Sequence, residues 1–486
     1  PSAAAGVVGT TPTNGGGNAL TSITVTAGGT FTGTAGVNDN FTAATTAELV
    51  GTTITGTAAD NETLTITGAL AANYTIPGTV TNIDNVVISA GTAANTLSFT
   101  AGNGVTRVTG SAAVDNVDVS ALGLNVNVDL GAGAGQTLTL ATGAYTGALT
   151  AGAGTTDTLA LAAGNNISAA GVSGFENLTL AGTGVYTMTA AQYNAFTGTV
   201  TAGNTETIAL TTAGTIVANA ALERFTLGNG ANSFTAGTNT VSVVGGTGDD
   251  VFNYTATQIA GATTLDGGLG TDTLNIGAIG ANLNISALVT GVEVVNVTGA
   301  AATGYTFTNE NGAGVILNFS KGAVTDTVVL GTGGQTLNVL GTAGTAVVVT
   351  GNAAGRDTIN LSSSATGAET VTGNSVIAAI DTVNNFKAAG ADTFKTGTNA
   401  TTLNVLTIAS ADTATFAAAI QTAATGAGAA LTANTQAYLI TVSAGTAAGS
   451  YAFQNIGGST GTVDATDFIV KLIGTTGAVV AGDFTA

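Results

Sequence analysis

The chain has 486 residues, of which 44% are hydrophobic and 7% charged, with 72 glycines, 3 prolines and neither cysteine nor tryptophan. That much apolar side chain excludes a self-repelling disordered chain, and the lack of cysteine excludes a disulfide framework or a thiolate metal site. A net charge of −20, from 27 acidic and 7 basic residues, argues against nucleic-acid partners and suits hard cations.

Thr, Val and Ile lose side-chain freedom in helices and fit pleated sheets, so strands should dominate. In chain order, "ETLTI" (62–66) predicts a strand that is answered by "NIDNVVI" (82–88), and "NTLSF" (95–99) and "QTLTL" (136–140) predict two more. "DTLAL" (157–161) is then answered by "GFENLTL" (174–180), "ETIAL" (206–210) by "LERFTL" (222–227), and "DTLNI" (272–276) by "GVEVVNV" (291–297). "QTLNV" (335–339) and "DTINL" (357–361) close the series. Each alternates Leu, Ile or Val with Thr or Asn, the period-2 pattern of a strand with one buried face.

One such strand cannot bury its own apolar face, and recurrence every ~20 residues predicts stacked rungs of an all-β, elongated, right-handed parallel β-solenoid, roughly 20 rungs in all. A pair of β-sandwiches is the competing arrangement. From residue 411 the texture changes. "ADTATFAAAIQTAATG" places Phe416 and Ile420 four apart and predicts a short helix ended by Gly426. "QAYLITVSAGTAAGSYAFQNI" reads as a hairpin and "TVDATDFIVKLIG" as a last strand. The expected organisation is solenoid over 1–227, a glycine-aspartate segment over 228–280, solenoid over 281–410 and a small C-terminal module over 411–486.

The glycine-aspartate segment carries the most specific motif. Residues 228–254 divide into "GNGANSFTA", "GTNTVSVVG" and "GTGDDVFNY", opened by Gly228, Gly237 and Gly246, with Phe234, Val243 and Phe252 at the seventh position. Gly-Gly-x-Gly-x-Asp-x-apolar is spelled by Gly245, Gly246, Gly248, Asp250 and Phe252, and again by Gly267, Gly268, Gly270, Asp272 and Leu274. Glycine turns expose carbonyls, aspartate adds a carboxylate, and stacked turns together approach the 6–8 oxygens that calcium takes at about 2.3–2.6 Å. Two sites are expected, Asn232 with Asp250 and Asp250 with Asp272, with Asp249 and Asp266 as additional ligands and the stretch "TATQIAGATT" bulging out between turns. Weaker echoes at 33–41, 56–64, 152–159 and 351–359 keep the aspartate but lose a glycine, and at the last of these Arg356 could stand in for an ion. Glu176, Glu293 and Asp84 read as lateral charges rather than catalytic acids. With no histidine there is no Ser-His-Asp triad and no His-Glu-x-x-His zinc site, so an enzyme is not expected.

The two nonapeptides, the "GFENLTL"-type strands, the acidic Thr/Ala/Gly-rich composition and the tail "DTVNNFKAAGADTF…GTVDATDFIVKLIG" together resemble RTX-type surface-layer proteins of Gram-negative bacteria. The resemblance implies Ca2+ as cofactor, type I export through a C-terminal signal over 411–486, folding outside the cell, and self-assembly of copies into an extracellular lattice. It further implies attachment to lipopolysaccharide through a segment not recognisable in 1–40. The acidic charge speaks against a nucleic-acid partner, and no run of ~18 apolar residues predicts a membrane span. A calcium-dependent filament and an RTX adhesin with a solenoid stalk are the alternatives.

Overall fold

The computed structural model describes residues 20–486 apart from 71, 92–94, 204, 261–263, 278, 286–287, 299–303, 311–313, 323, 342–345, 352–354, 363–367, 373–378, 389–391, 429–430, 432–434, 457–460 and 465–466. Parts of the expected bulge after Tyr254 and of the echo at 351–359 lie outside the described residues. Nearly all regular structure is strand, stacked in parallel into a right-handed β-solenoid of about 15 turns. The total falls short of the ~20 rungs expected from spacing. Two compact units are present, Pro1–Asn229 with Gly237–Thr240, and Gly230–Ala236 with Val241–Ala486.

In the first unit one parallel sheet runs through Leu20–Thr24, Asn38–Ala43, Thr63–Ile66, Asn85–Ile88, Arg107–Thr109, Asn127–Asp129, Ala148–Thr150 and Gly171–Ser173. A second runs through Tyr74–Ile76, Thr96–Phe99, Asn116–Asp118, Thr137–Leu140, Thr158–Ala162, Asn177–Ala181 and Val200–Thr201. All four strand pairs named from the sequence are direct parallel neighbours. Alternation does what the pattern requires: Leu138, Leu159 and Leu178 stack in register and are fully buried.

The second unit has a long parallel sheet from Ser233–Thr235 through Val251–Tyr254, Thr273–Ile276, Val294–Thr298, Ile316–Ser320, Thr336–Leu340 and Thr358–Asn360 to Asp381–Asn384. On its inner face Phe252, Leu274, Val295, Leu317, Leu337, Ile359 and Val383 form one buried column, each side chain worth about 1.5–3 kcal/mol of apolar burial. On its outer face Asn253, Asn275, Asn296, Asn318, Asn338, Asn360 and Asn384 form an amide ladder, in which every Nδ2 from Asn275 onward donates to the Oδ1 of the preceding asparagine at 2.5–2.9 Å.

Two helices appear that periodicity did not announce, Ala190–Ala195 and Ala256–Ile259. Both start from a Thr-x-x-Gln capping box, Thr189 with Gln192 and Thr255 with Gln258, a local signal that satisfies two backbone donors reciprocally. The second occupies part of the bulge expected after Tyr254.

The C-terminal helix spans Phe416–Gly426 and buries Phe416, Ile420 and Ala424. Gln436–Val442 and Gly449–Gln454 make the expected antiparallel hairpin. The last long strand, Phe468–Ile473, lies antiparallel to the hairpin and parallel to Asp381–Asn384, and Phe484–Thr485 pairs with Thr393–Lys395. The end of the chain thus returns to the solenoid and continues two of its sheets.

Candidate metal centre

The residue immediately before each strand sets the local chemistry. Within the second unit the registered column at that position is Asn232, Asp250, Asp272, Glu293, then Val315, Gln335, Asp357 and Asp381. Here the backbone leaves one sheet and turns, so its N–H groups need partners that the ladder does not supply. The acidic side chains provide them. Asn232 N–H donates to Asp250 Oδ1 at 2.8 Å, Asp250 N–H to Asp272 Oδ1 at 2.8 Å and Asp272 N–H to Glu293 Oε2 at 2.8 Å. Gln335 N–H donates to Asp357 Oδ1 and Asp357 N–H to Asp381 Oδ1, both at 2.9 Å. A second oxygen holds the same residue's own turn: Gly246 N–H donates to Asp250 Oδ2 at 3.1 Å.

The first unit repeats this arrangement without the full motif. Asp39 N–H donates to Glu62 Oε2, Glu62 N–H to Asp84 Oδ2, Gln136 N–H to Asp157 Oδ1 and Asp157 N–H to Glu176 Oε2, at 2.7–3.0 Å. Asp157 and Asp357 of the weaker echoes and the lateral acids Glu176, Glu293 and Asp84 therefore share one structural task, whereas Asp60 of the echo at 56–64 accepts from Gly36 N–H and Thr57 Oγ1. The signal was the first letter of "ETLTI", "QTLTL", "DTLAL" and "DTINL", a carboxylate or amide ahead of each Thr-apolar pair. A reading centred on alternation passes over it.

The structure does bring the motif residues together. Asn232 stacks on Asp250 and Asp250 on Asp272, in register although the second interval is longer. Gly248 and Gly270 hold equivalent corners at φ of 142° and 140°, a region open to glycine. Gly245 and Gly267 are needed for close approach instead: a Cβ on Gly245 would lie 1.9 Å from Gly267 O, and one on Gly267 1.8 Å from Gly291 O. Asp250 and Asp272 are both fully buried, whereas Asp249 is exposed and Asp266 half-buried. Asp249 Oδ1 accepts from Thr271 N–H at 2.8 Å, and Asp266 Oδ1 from Gly268 N–H at 3.2 Å.

The two aspartates differ in what remains available to a cation. Asp250 Oδ1 accepts both Asn232 N–H and Asn232 Nδ2, and its Oδ2 accepts Gly246 N–H. Asp272 Oδ2 is buried with no hydrogen-bond partner. Burial pushes the Asp272 carboxyl up, and the charges of Asp250, Glu293 and Asp249 push it further. A Cβ on Gly267 would meet Asp272 Oδ2 at 2.7 Å and Gly291 O at 1.8 Å, and one on Gly291 would meet Asp266 Oδ1 at 2.9 Å. Two carboxylates and a carbonyl fit a hard cation in type, though they are fewer than the 6–8 oxygens of a full calcium shell. Among the described residues no group of three or more acidic side chains converges on one point. Arg356 is exposed while the adjacent Asp357 is buried.

No protein-family model, curated protein or solved structure gives a significant match to the chain. No described helix is long and apolar enough to cross a membrane.

Proposed function

We propose that the chain is a structural, secreted surface-layer protein that self-assembles in a calcium-dependent way. The observation that carries this reading is a pair of strands with an open edge. Among the described residues Leu20–Thr24 pairs only with Asn38–Ala43 in the first unit, and Thr402–Ile408 only with Gln436–Val442 in the second. Unpaired strand edges are templates for another chain, and a solenoid must cap them or use them.

In this reading calcium binds beside Asp272 and Asp266, with Gly291 O as the carbonyl donor. Bound there it would balance like charges that otherwise oppose compaction. Asp249 and Leu269, the latter 70% exposed, lie on the same turns and offer a neighbouring copy a charged and an apolar contact. The carboxylates at strand starts support a structural rather than catalytic role, because their oxygens bind backbone N–H groups.

Electron microscopy of the purified protein in millimolar calcium and after chelation tests this. Sheets or filaments that disperse on chelation are expected. Monodisperse particles under both conditions would overturn it, and filaments alone would favour end-to-end stacking over a two-dimensional lattice.

A further inference from the structure

Two of the chain's 7 basic residues, Lys321 and Lys387, point into the interior of the second unit. Lys321 follows the strand Ile316–Ser320, and Glu369 precedes Thr370–Thr372 two rungs further on. The intervening rung presents Gly341, at φ of 106°, where a Cβ would lie 3.7 Å from Lys321 Cβ. The lysine side chain therefore passes the intervening rung and meets Glu369 Oε1, with both side chains completely buried. No hydrogen bond of ordinary geometry ends on Lys321 Nζ or on either Glu369 oxygen.

Further charged groups surround this pair. Lys387 Nζ lies 3.8 Å from Glu369 Oε2. Asp392 is fully buried, and its carboxylate lies against the backbone of Glu369. Asp392 is held in place by two backbone donors, Glu369 N–H at 3.0 Å and Lys387 N–H at 2.8 Å. Phe319, Phe386 and Phe394, neighbours in sequence of Lys321, Lys387 and Asp392, are fully buried, and the last two stack at 4.1 Å. Burial, with the Glu369 contact next, pushes the Asp392 carboxyl up to about 7, which leaves it able to give and take a proton near neutrality.

We propose that Lys321 and Glu369 condense spontaneously to an intramolecular isopeptide bond, with Asp392 as proton carrier and Lys387 as oxyanion stabiliser. The roles follow from the geometry. A proton passes within the pair from Nζ to the Glu369 carboxyl, giving amine and acid. The Nζ lone pair attacks Cδ, and negative charge develops on Oε2 beside the Lys387 ammonium. Asp392 delivers its proton to the departing oxygen, the Cδ–O bond breaks with its electron pair leaving as water, and the proton lost from nitrogen returns to Asp392. One secondary amide and one water are formed, no atom changes oxidation state and no cofactor is needed. A dry interior favours the amide, because two buried charges are replaced by a neutral group. The bond would close the chain between the two residues into a loop, restricting the unfolded state as a disulfide does in a chain that has none.

Intact mass spectrometry of the purified full-length chain, followed by proteolysis and tandem sequencing, tests the bond directly. The expected result is a mass one water below the sequence mass and a branched peptide containing both Lys321 and Glu369. Asp392→Asn, which keeps the size of the side chain, should fold by circular dichroism yet stay at the full mass, and Lys321→Met should do the same. A wild-type chain at full mass after prolonged incubation overturns the proposal. So does loss of water with Lys321 recovered in a linear peptide.

Discussion

The rung that begins at Asp157 in the first unit and the rung that begins at Asp272 in the second differ in sequence far more than in structure. Only the second follows a complete Gly-Gly-x-Gly-x-Asp motif, yet both aspartates accept the N–H of the preceding rung's equivalent residue through Oδ1 and both keep Oδ2 buried without a hydrogen-bond partner. Even the glycine contact recurs, since a Cβ on Gly154 would lie 2.8 Å from Asp157 Oδ2 and 2.0 Å from Gly133 O. What distinguishes the second region is the company: burial pushes both carboxyls up, but among the described residues Glu176 alone adds its charge at Asp157, while Asp250, Glu293 and Asp249 add theirs at Asp272. The comparison separates two roles that one motif had seemed to combine. Asp157 and Asp272 alike clamp the backbone at a strand start, and the proposed ion would sit where further acids crowd the second of them.

The largest effect should come from the glycines that allow this close approach. Gly267→Ala places a methyl group on Gly291 O and should destabilise the second unit by more than about 3 kcal/mol in denaturant titrations, through overpacking against backbone. A loss below ~1 kcal/mol would mean that the rungs can separate freely there.

Next come the clamps themselves. Asp250→Ala and Asp157→Ala each strip buried N–H groups of their acceptor and should cost about 1–3 kcal/mol per orphaned group. Without calcium the loss should be larger for Asp250→Ala, which strips the Asn232 and Gly246 N–H groups, than for Asp157→Ala, which strips that of Gln136. If Asp157→Ala were silent, the clamp would not be general.

Titration offers a sharper contrast. Burial, with the charge of Asp357 behind it, pushes Asp381 up to about 7, against about 4 in an unfolded chain. The folded state binds this proton more tightly, so the stability it confers is complete below pH ~4 and disappears as pH rises through ~7. The second unit should therefore be more stable at pH 5 than at pH 8, on the order of a few kcal/mol, and Asp381→Asn should flatten that slope. Stability that instead rises across this window in the wild type would contradict the assignment.

The smallest effect belongs to the outer face. Asn318→Ala removes one step of the asparagine ladder at a half-buried position and should lower stability by about 1 kcal/mol.

Strand positions, their pairing and the C-terminal helix and hairpin were legible because alternation of apolar and polar residues reports directly which face is buried. The stacking of Asn232, Asp250 and Asp272 was legible for the same reason, since repeats in one register align their side chains. What periodicity could not report is what a polar side chain binds once it is buried. In the sequence Asp250 reads as a calcium ligand and Asp157 as a weaker echo of the same turn, and only the direction of backbone N–H groups at the corner makes them acceptors. The meeting of Lys321 with Glu369 depends on a reach of two rungs past Gly341, a distance that no local pattern encodes. The helices at Ala190–Ala195 and Ala256–Ile259 were too short for a 3.6-residue period, although their Thr-x-x-Gln starts were in view.

A crystal structure of the protein grown in millimolar calcium, with anomalous diffraction used to locate the metal, tests most directly whether clamp and ion site are separate roles. The expected result is metal density bounded by Asp272 Oδ2, Asp266 and Gly291 O, none beside Asp157, and Asp250 still accepting Asn232 N–H. Metal bound to Asp250 in place of its backbone donors, or no metal anywhere along Gly245–Asp272, would contradict it.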